Sequence, residues 1–157
     1  MEKSPFVIRH AHEEDMEAVH QLVIELAIYE NEPDAVLASV DDFKESWKEG
    51  LLQCTVAEIV GEVVGMACYY LTFSTWKGKM MYLEDFVISE EHRRKGIGQA
   101  LFEAVIDESK KQRCRLIKWQ VLHWNDPAIN FYKKNQSIIE KEWWNGKIVF
   151  HEKDHNT

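Results

Sequence analysis

The stretch that decides the fold is residues 80–99, MMYLEDFVISEEHRRKGIGQ. Its first half is dominated by apolar, aromatic and β-branched residues, which predicts a long strand. Its second half brings three cations, Arg93 to Lys95, up to Gly96 and Gly98, where an amphipathic helix begins. Glycine lets backbone N–H groups approach a ligand, and a helix N-terminus carries partial positive charge, so this junction predicts a site for a pyrophosphate. An ordinary basic turn, with glycines that only start the helix, would explain the same residues.

Helix and strand patterns alternate on both sides of this junction. The segments expected before it are a strand FVIRHA, a helix from Glu13 to Tyr29, a shorter helix that begins at Ser39 or Asp41 and ends at Gly50, and a hairpin of LLQCTVAEIV and VVGMACYYLTF. The segments expected after it are a helix to about Gln112, a strand RLIKWQVL, a helix opened by Asp126-Pro127, and a closing hairpin of IIEKEWW and GKIVFHE. This order predicts an α+β domain with a mixed, mostly antiparallel sheet and helices on both faces.

The composition favours one domain, and its negative charge suits either a small cationic partner or simply the solubility of the chain. The chain has 157 residues, of which 45% are apolar, so one compact domain over residues 1–152 with a polar tail at 153–157 is expected. Lys and Arg total 19 against 27 Asp and Glu, a net charge of −8, which argues against a nucleic-acid partner. No apolar run approaches the roughly 20 residues that span a bilayer, so no membrane partner is expected.

The cysteines and histidines point to a reducing compartment and to a protein without a metal. Cys54, Cys68 and Cys114 show no C-x-x-C spacing, and their odd number leaves at least one unpaired, which predicts reduced thiols and a cytoplasmic protein. The seven histidines lack the compact spacing of metal ligands. We therefore expect no metal site.

The spacing Arg93-x-x-Gly96-x-Gly98 after YLEDFVIS resembles the acetyl-CoA signature of the GNAT superfamily of N-acetyltransferases. The resemblance implies the GNAT acyl-CoA N-acyltransferase fold and acetyl-CoA as the cofactor. It also implies that backbone amides near the strand end hold the acetyl carbonyl and pantetheine, while amides of the loop hold the pyrophosphate. The corresponding positions are Phe86, Val87 and Ile88 in the strand, and Arg93, Arg94, Lys95, Gly96, Ile97, Gly98 and Gln99 in the loop.

A second segment, WNDPAINFYKK, begins a helix, since Asn125 is a good N-cap and Pro127 suits the first turn. Taken alone, Tyr132 is explained as a core aromatic residue. In GNAT enzymes that the chain resembles, this segment contacts the cofactor, and the tyrosine is the general acid for the leaving thiolate, a role that a phenol with a pKa of about 10 can fill. The family often has a glycine where this chain has Gln136, and Asn135 is expected to take the left-handed conformation instead.

Two adjacent acids, Glu84 and Asp85, precede the end of the cofactor strand. An amine acceptor arrives protonated, because an alkylammonium has a pKa of about 10.4, and only its neutral form attacks a thioester. Paired carboxylates could attract the cation and then remove its proton. Strand alternation points the two side chains to opposite faces, so only one is expected to face the substrate unless a bulge intervenes. A polar interruption at a strand end is the alternative explanation.

Longer segments, namely MYLEDF, ELAIYENE, YYLTFSTWKGK and WNDPAINFYKK, resemble the spermidine/spermine acetyltransferases within the GNAT superfamily. The resemblance implies that a small diamine or polyamine attacks acetyl-CoA directly in a ternary complex. It further implies that Glu84 is a base acting through water and that Asp85 holds a cation. The other substrate-binding positions it implies are Tyr29 and Glu30 on the distal amine path, Trp76 as an aromatic wall, and Lys118, Trp119 and Gln120 on the strand that borders the channel.

Departures from that resemblance leave alternatives open. Where polyamine enzymes carry an acid two positions before the tryptophan, this chain has Ser74, and Lys118 adds a cation. A thialysine-like or lysine-like amino acid therefore remains an alternative acceptor. A non-catalytic acyl-CoA-binding regulator and an enzyme for peptide termini are further alternatives. The apolar C-terminal stretch IIEKEWWNGKIVF predicts a homodimer, since relatives pair strands there, and closure of the chain's own sheet is the alternative.

Overall fold

The computed structural model describes residues 5–151, which form two units. The first unit runs to Gln120 and the second begins at Val121. In the first unit the elements are β1 (Val7–His10), α1 (Met16–Tyr29), α2 (Val40–Lys48), β2 (Gln53–Ile59), β3 (Glu62–Ser74), β4 (Gly78–Ile88), α3 (Ile97–Lys111) and β5 (Leu116–Trp119), with short 3-10 turns at Glu13–Asp15 and Glu90–His92. The second unit holds α4 (Asp126–Lys134). None of the described helices is both long and apolar enough to cross a membrane.

The five strands form one sheet with helices on both faces. Their order is β1-β2-β3-β4-β5, and all neighbours are antiparallel except β4 and β5, which are parallel. Val56 and Ala57 are adjacent in β2 and therefore point to opposite faces. Val56 shares a buried cluster with Met16 of α1, against which Phe43 of α2 packs. Ala57 shares another cluster with Ile97 of α3, so the predicted α+β fold is confirmed.

The sheet opens where β4 and β5 separate. β5 pairs with β4 only over Met80–Leu83, and β5 ends at Trp119, whereas β4 continues to Ile88. Backbone N–H and C=O groups alternate in direction along a strand, so half of those beyond Leu83 face away from β3. Among the residues of the first unit, no strand pairs with that part of the β4 edge. The edge of β4 beyond Leu83 is therefore not covered by β5.

The N-terminus of α2 resolves an ambiguity in the sequence. Ser39, not Asp41, is the N-cap residue. Its hydroxyl accepts a hydrogen bond from the backbone N–H of Asp42 at 3.1 Å, and its own N–H donates to Asp42 Oδ2 at 2.8 Å. This reciprocal pair is a capping box, which satisfies two backbone donors that the helix would otherwise leave unpaired.

A Schellman motif ends α1. The N–H of Asn31 donates to the carbonyl of Ile28 at 3.1 Å, and the N–H of Glu32 donates to the carbonyl of Ala27 at 2.8 Å. Asn31 has φ 62°, in the left-handed region that asparagine tolerates better than most residues. These bonds fix the last turn of the helix, which carries Tyr29.

The predicted closing hairpin is wrong for this chain. From Asn135 to residue 151 the structure contains neither strand nor helix. The apolar residues that would have filled one face of the hairpin are exposed, with Trp143 at 69% and Ile148 at 85%. A two-stranded hairpin is marginal unless its apolar face packs against something, and alternation alone could not supply that surface. The predicted strand RLIKWQVL is also shorter, and the expected tail at 153–157 lies outside the described residues.

Candidate functional site

A β-bulge brings Glu84 and Asp85 to the same cleft. Cys68 of β3 pairs with Asp85 of β4, but the next pair joins Tyr69 to Leu83, so Glu84 is the extra residue. A bulge interrupts the alternation that would have sent the two side chains to opposite faces. Both carboxylates line one cleft of about 410 Å³, called the acidic cleft below.

The opposite wall of the acidic cleft belongs to α2 and to the segment that follows it. The lining residues, besides the two carboxylates, are Ala38, Asp42, Phe43, Ser46, Leu51, Leu52, Cys68 and Tyr70. Tyr70 lies with its hydroxyl 3.5 Å from Glu84 Oε2 and its ring stacked on Tyr82 at 5.3 Å. The sequence gives no sign that α2 residues line the cleft, although the capping signal at Ser39 locates the helix that carries them. The lining is acidic and apolar, and it includes no Lys or Arg.

The environment of Asp85 differs from that of Glu84. Burial, together with the negative charges of Glu84 and Glu30, raises the pKa of the Asp85 carboxyl from 3.8 to about 6. Burial also raises the pKa of Glu30. Glu84, by contrast, is exposed on the cleft surface. A carboxyl with a pKa near 6 gains stabilisation from a neighbouring cation, so this position favours a positively charged ligand.

The loop before α3 has the backbone geometry of an anion site. Gly96, the N-cap of α3, has φ 82°, and Arg94 two residues earlier has φ 64°. A Cβ on Gly96 would meet nothing within 4 Å, so the space beside its backbone is open. The side chains of Arg94 and Lys95 are exposed, whereas Ile97 is buried and anchors the helix. A pyrophosphate fits these features, because it can take the N–H groups of the first turn of α3 beside a cationic surface.

The end of β4 lies directly against this loop. Phe86 packs its ring edge-to-face with Phe102 of α3 at 5.8 Å, and Val87 is buried. A Cβ added to Gly98 would be 3.8 Å from Ile88 and 4.0 Å from Phe86. The separated β4 edge and the N-terminus of α3 are therefore adjacent, as the extended arm and the pyrophosphate of coenzyme A require. Gln99 is exposed in the first turn of α3.

Arg93 joins this loop to the end of α1. Its guanidinium carbon lies 5.6 Å from the centroid of the Tyr29 ring, within cation–π range. Its Nε donates to the carbonyl of Ile88 at 3.1 Å. Tyr29 and Glu30, predicted to line an amine path, are thus close to the cofactor loop, and neither lines the acidic cleft.

The residues predicted on β5 separate onto two faces. Trp119 pairs with Leu83 and packs its ring against Phe102 at 5.8 Å, on the α3 side of the sheet. Lys118 pairs with Tyr82 and is exposed on the opposite face, the face of the acidic cleft, without lining the cleft itself. Gln120 follows the strand and is exposed.

Trp76 lies far from the two carboxylates. It occupies the turn between β3 and β4 and is 81% exposed. Glu84 lies six positions after Gly78 along the extended strand, a distance of roughly 20 Å. Within one chain, the structure does not bring this ring to the acidic cleft.

The second unit presents its predicted residues on α4. Asn125 caps the helix, its Oδ1 accepting from the N–H of Ala128 at 3.4 Å, and Pro127 lies in the first turn as predicted. Tyr132 is 7% exposed, with its ring edge-to-face on Phe131 at 5.6 Å.

The predicted left-handed residue at the end of α4 is displaced by one position. Asn135 has φ −91°, and Gln136 has φ 60°. The Asn135 side chain instead donates from Nδ2 to the carbonyl of Phe131 at 2.9 Å. Because that bond holds Asn135 near the helical region, the chain reverses at Gln136, the position where the family often has glycine.

No group of three or more His, Cys, Asp or Glu side chains within residues 5–151 is arranged to hold a metal ion. The candidate site combines carboxylates, a backbone cradle and aromatic rings.

Comparison with known proteins agrees with this geometry. Residues 12–136 match the model of the acetyltransferase (GNAT) family. The chain is 37% identical to a thialysine N-epsilon-acetyltransferase of Bos taurus over 88% of each chain. It is 31% identical to a spermidine/spermine N(1)-acetyltransferase-like protein 1 of Homo sapiens over 88% of this chain and 22% of the relative.

A solved aminoglycoside acetyltransferase from an uncultured soil metagenomic sample shares the fold. The TM-score is 0.79 at 16% identity, over 95% of this chain and 99% of that one. Together with the family match and the open backbone cradle before α3, these likenesses lead to one conclusion. The chain belongs to the GNAT family of N-acetyltransferases, enzymes that take their acetyl group from acetyl-CoA.

Proposed function

We propose that this enzyme acetylates a primary amine of a small diamine or polyamine by direct attack in a ternary complex. The observation that carries the proposal is the bulge in β4, which brings the carboxylates of both Glu84 and Asp85 to the acidic cleft. Asp42 on the α2 wall adds a third carboxylate to the same cleft. Three acids and no lining cation suit an acceptor that carries two or more positive charges.

The residues divide the work of handling protons and charge. Bound acetyl-CoA supplies the acetyl group as a thioester. Asp85 holds the incoming ammonium, and Glu84, which is exposed to water, takes the proton that the nitrogen must lose before it can attack. Tyr132 supplies a proton to the sulfur that leaves. The acetyl donor is held by the backbone of Phe86, Val87 and Ile88 and by the loop from Arg93 to Gln99. Asn125 and Pro127, at the start of α4, are the further donor-binding residues of this proposal.

A thialysine-like or lysine-like amino acid is the second candidate acceptor. It is favoured by the 37% identity to a thialysine N-epsilon-acetyltransferase. Lys118 supports it as well, because it lies on the cleft face of the sheet and could pair with an acceptor's carboxylate. In that case Trp119, at the end of β5, and Gln120, directly after it, would border the acceptor channel.

An acceptor panel distinguishes the two candidates. Acetyl-CoA consumption would be measured with putrescine, spermidine, thialysine, lysine and a short peptide, and each product identified by mass spectrometry. We expect the diamine or polyamine to have the highest kcat/KM. Thialysine as the best acceptor would transfer the proposal to the amino acid, and the peptide as the best acceptor would overturn both.

A Lys118→Ala variant sharpens that comparison. If the acceptor is an amino acid, loss of this cation raises KM for thialysine and leaves KM for putrescine unchanged. If the acceptor is a diamine, the variant has an equal or lower KM for putrescine, because a repulsive charge is removed. Glu84→Gln serves as the control for the chemistry and is expected to lower kcat for every acceptor.

We also propose a homodimer in the cytoplasm. The exposure of Trp143, Trp144 and Phe150 in the C-terminal stretch supports a second copy as the cover for these side chains. The odd number of cysteines and the lack of C-x-x-C spacing support a reducing compartment. Gel filtration of the full chain would give twice the monomer mass, and a monomer at all concentrations would overturn the dimer.

A further inference from the structure

Arg93 has two contacts that a phosphate-binding side chain does not need. Its Nε donates to the carbonyl of Ile88, at the end of the donor strand, and its guanidinium covers the ring of Tyr29, in the last turn of α1. Neither contact uses the backbone N–H groups through which the loop would hold a pyrophosphate. The side chain is therefore engaged between two elements that serve different substrates.

The element on the other side of Arg93 is firmly built. The Schellman motif fixes the last turn of α1, and the carboxylate of Glu30, the residue after Tyr29, acts electrostatically on Asp85. A displacement of that turn would change the field at the acidic cleft. In the loop, by contrast, Arg94 and Gly96 have positive φ. A bound anion stabilises this conformation because it accepts hydrogen bonds from the backbone N–H groups of the loop.

We propose that Arg93 is a positioning residue that couples donor binding at the loop to the acceptor side of the site through Tyr29. Donor binding orders the loop, the ordered loop holds Arg93 over Tyr29, and the last turn of α1 becomes less mobile. By reciprocity, an acceptor that settles against that turn increases donor affinity by the same factor. The acceptor half of this inference rests on the proposed function.

The size of the coupling is bounded by the contact that carries it. An exposed cation–π pair limits the effect to roughly a two- to fivefold change in affinity or in exchange rate. We expect coenzyme A to slow hydrogen exchange at the amides of residues 26–30 by about this factor. We also expect it to lower the Kd of putrescine, measured by calorimetry with coenzyme A instead of acetyl-CoA so that no turnover occurs.

Variants of the same loop separate coupling from charge. Arg93→Met should abolish the coenzyme A-induced slowing at residues 26–30. Arg94→Met, which removes an equal charge from a side chain without these contacts, should weaken coenzyme A binding and keep the slowing. Arg93→Lys should restore part of the effect, since an ammonium can still lie over the ring. Tyr29→Phe should keep it and Tyr29→Leu should lose it.

The outcomes are distinguishable from failure of the proposed function. Coenzyme A affinity, measured for every variant, shows that each is folded and that the loop still binds. If putrescine fails to bind but exchange at residues 26–30 still depends on Arg93, the acceptor assignment is wrong and the coupling stands. If Arg93→Met shows the parent's slowing, or Arg94→Met loses it equally, the coupling through Tyr29 is refuted.

Discussion

Asp85 illustrates how one buried carboxyl links stability to binding. Its pKa is raised from 3.8 to about 6, so the folded protein binds this proton more tightly than the unfolded chain does. The contribution to stability is therefore fully present below about pH 4 and is lost as pH rises through about 6. Above that range the enzyme carries an anion in a poorly solvated place, which an acceptor cation offsets.

Replacing this carboxyl should consequently stabilise the free enzyme only at higher pH. We predict that Asp85→Asn raises the free energy of unfolding by about 1–2 kcal/mol at pH 7.5 and changes it little near pH 4. Urea denaturation at the two pH values measures this. An equal change at both pH values would show that the charge is not responsible. The variant should also lose most of its acceptor affinity.

Asp42 and Asp41 form a matched pair in the first turn of α2. The Asp42 carboxylate lines the acidic cleft, and a backbone hydrogen bond from Ser39 lowers its pKa, whereas Asp41 does not line the cleft. We predict that Asp42→Asn raises KM for a diamine about fivefold more than for a monoamine of equal length, and that Asp41→Asn shows no such preference. A Ser39→Ala variant measures the effect of the lost cap alone. Equal KM changes for both amines would exclude Asp42 from charge recognition.

Tyr132 is predicted to act on turnover rather than on cofactor affinity. Loss of a general acid typically costs 10²-fold or more, so we expect Tyr132→Phe to lower kcat by roughly that factor while the Kd of coenzyme A changes less than about twofold. The phenyl ring keeps the packing against Phe131, which separates the hydroxyl from the core role of the side chain. Steady-state kinetics and calorimetry give the two numbers, and an unchanged kcat would remove the acid role.

At the scale of single elements, β3 and β4 meet closely at Gly65. A Cβ built there would lie 2.6 Å from Ile88 Cδ1 and 3.3 Å from the carbonyl oxygen of Val87. We predict that Gly65→Ala costs about 1–3 kcal/mol of stability and weakens coenzyme A binding, because Ile88 must move at the donor strand end.

The double variant Gly65→Ala with Ile88→Val tests the cause, since valine lacks Cδ1. It should recover part of both losses, whereas strictly additive effects would show that the side chains do not clash. Gly146→Ala, where the added Cβ meets nothing within 4 Å, is the control and should change stability by less than about 0.5 kcal/mol.

The end of α4 gives a second backbone test. Gln136 has φ 60°, a conformation that costs a residue with a Cβ about 1–2 kcal/mol, while Asn135 has φ −91°. We predict that Gln136→Gly stabilises the protein by about 0.5–1 kcal/mol and that Asn135→Gly destabilises it by about 1 kcal/mol. Chemical denaturation of both variants checks the opposite signs. The same sign for both would mean that the turn relaxes elsewhere.

Over the whole molecule, local signals and long-range pairing differed in what they made predictable. Some signals depend only on residues that are close in sequence: the glycines of the loop, the helix period of α1 and α3, and the cap at Asn125. The structure confirms the elements that these signals predict. The bulge at Glu84 depends on which β3 residue lies opposite. The sequence therefore showed only that both acids could face the substrate if a bulge were present. The lining of the cleft by α2 likewise depends on packing between distant segments.

The hairpin predicted for the C-terminal stretch is wrong for a related reason. Its alternating apolar residues and the Asn145-Gly146 pair carry a strong hairpin pattern, yet a pattern does not provide the surface on which a strand pair would pack. The exposure of Trp144 and Ile148 is expected if a second copy of the chain covers these side chains.

Because of the extra residue in β4, the number of carboxylates in the acidic cleft depends on the length of that strand. A chain one residue shorter at Glu84 would pair β3 and β4 regularly on both sides of Cys68. It would nonetheless offer a lone carboxylate where this enzyme has two. A deletion of three nucleotides could therefore change which cationic acceptors such an enzyme binds, while its binding of the nucleotide half of the donor stays the same.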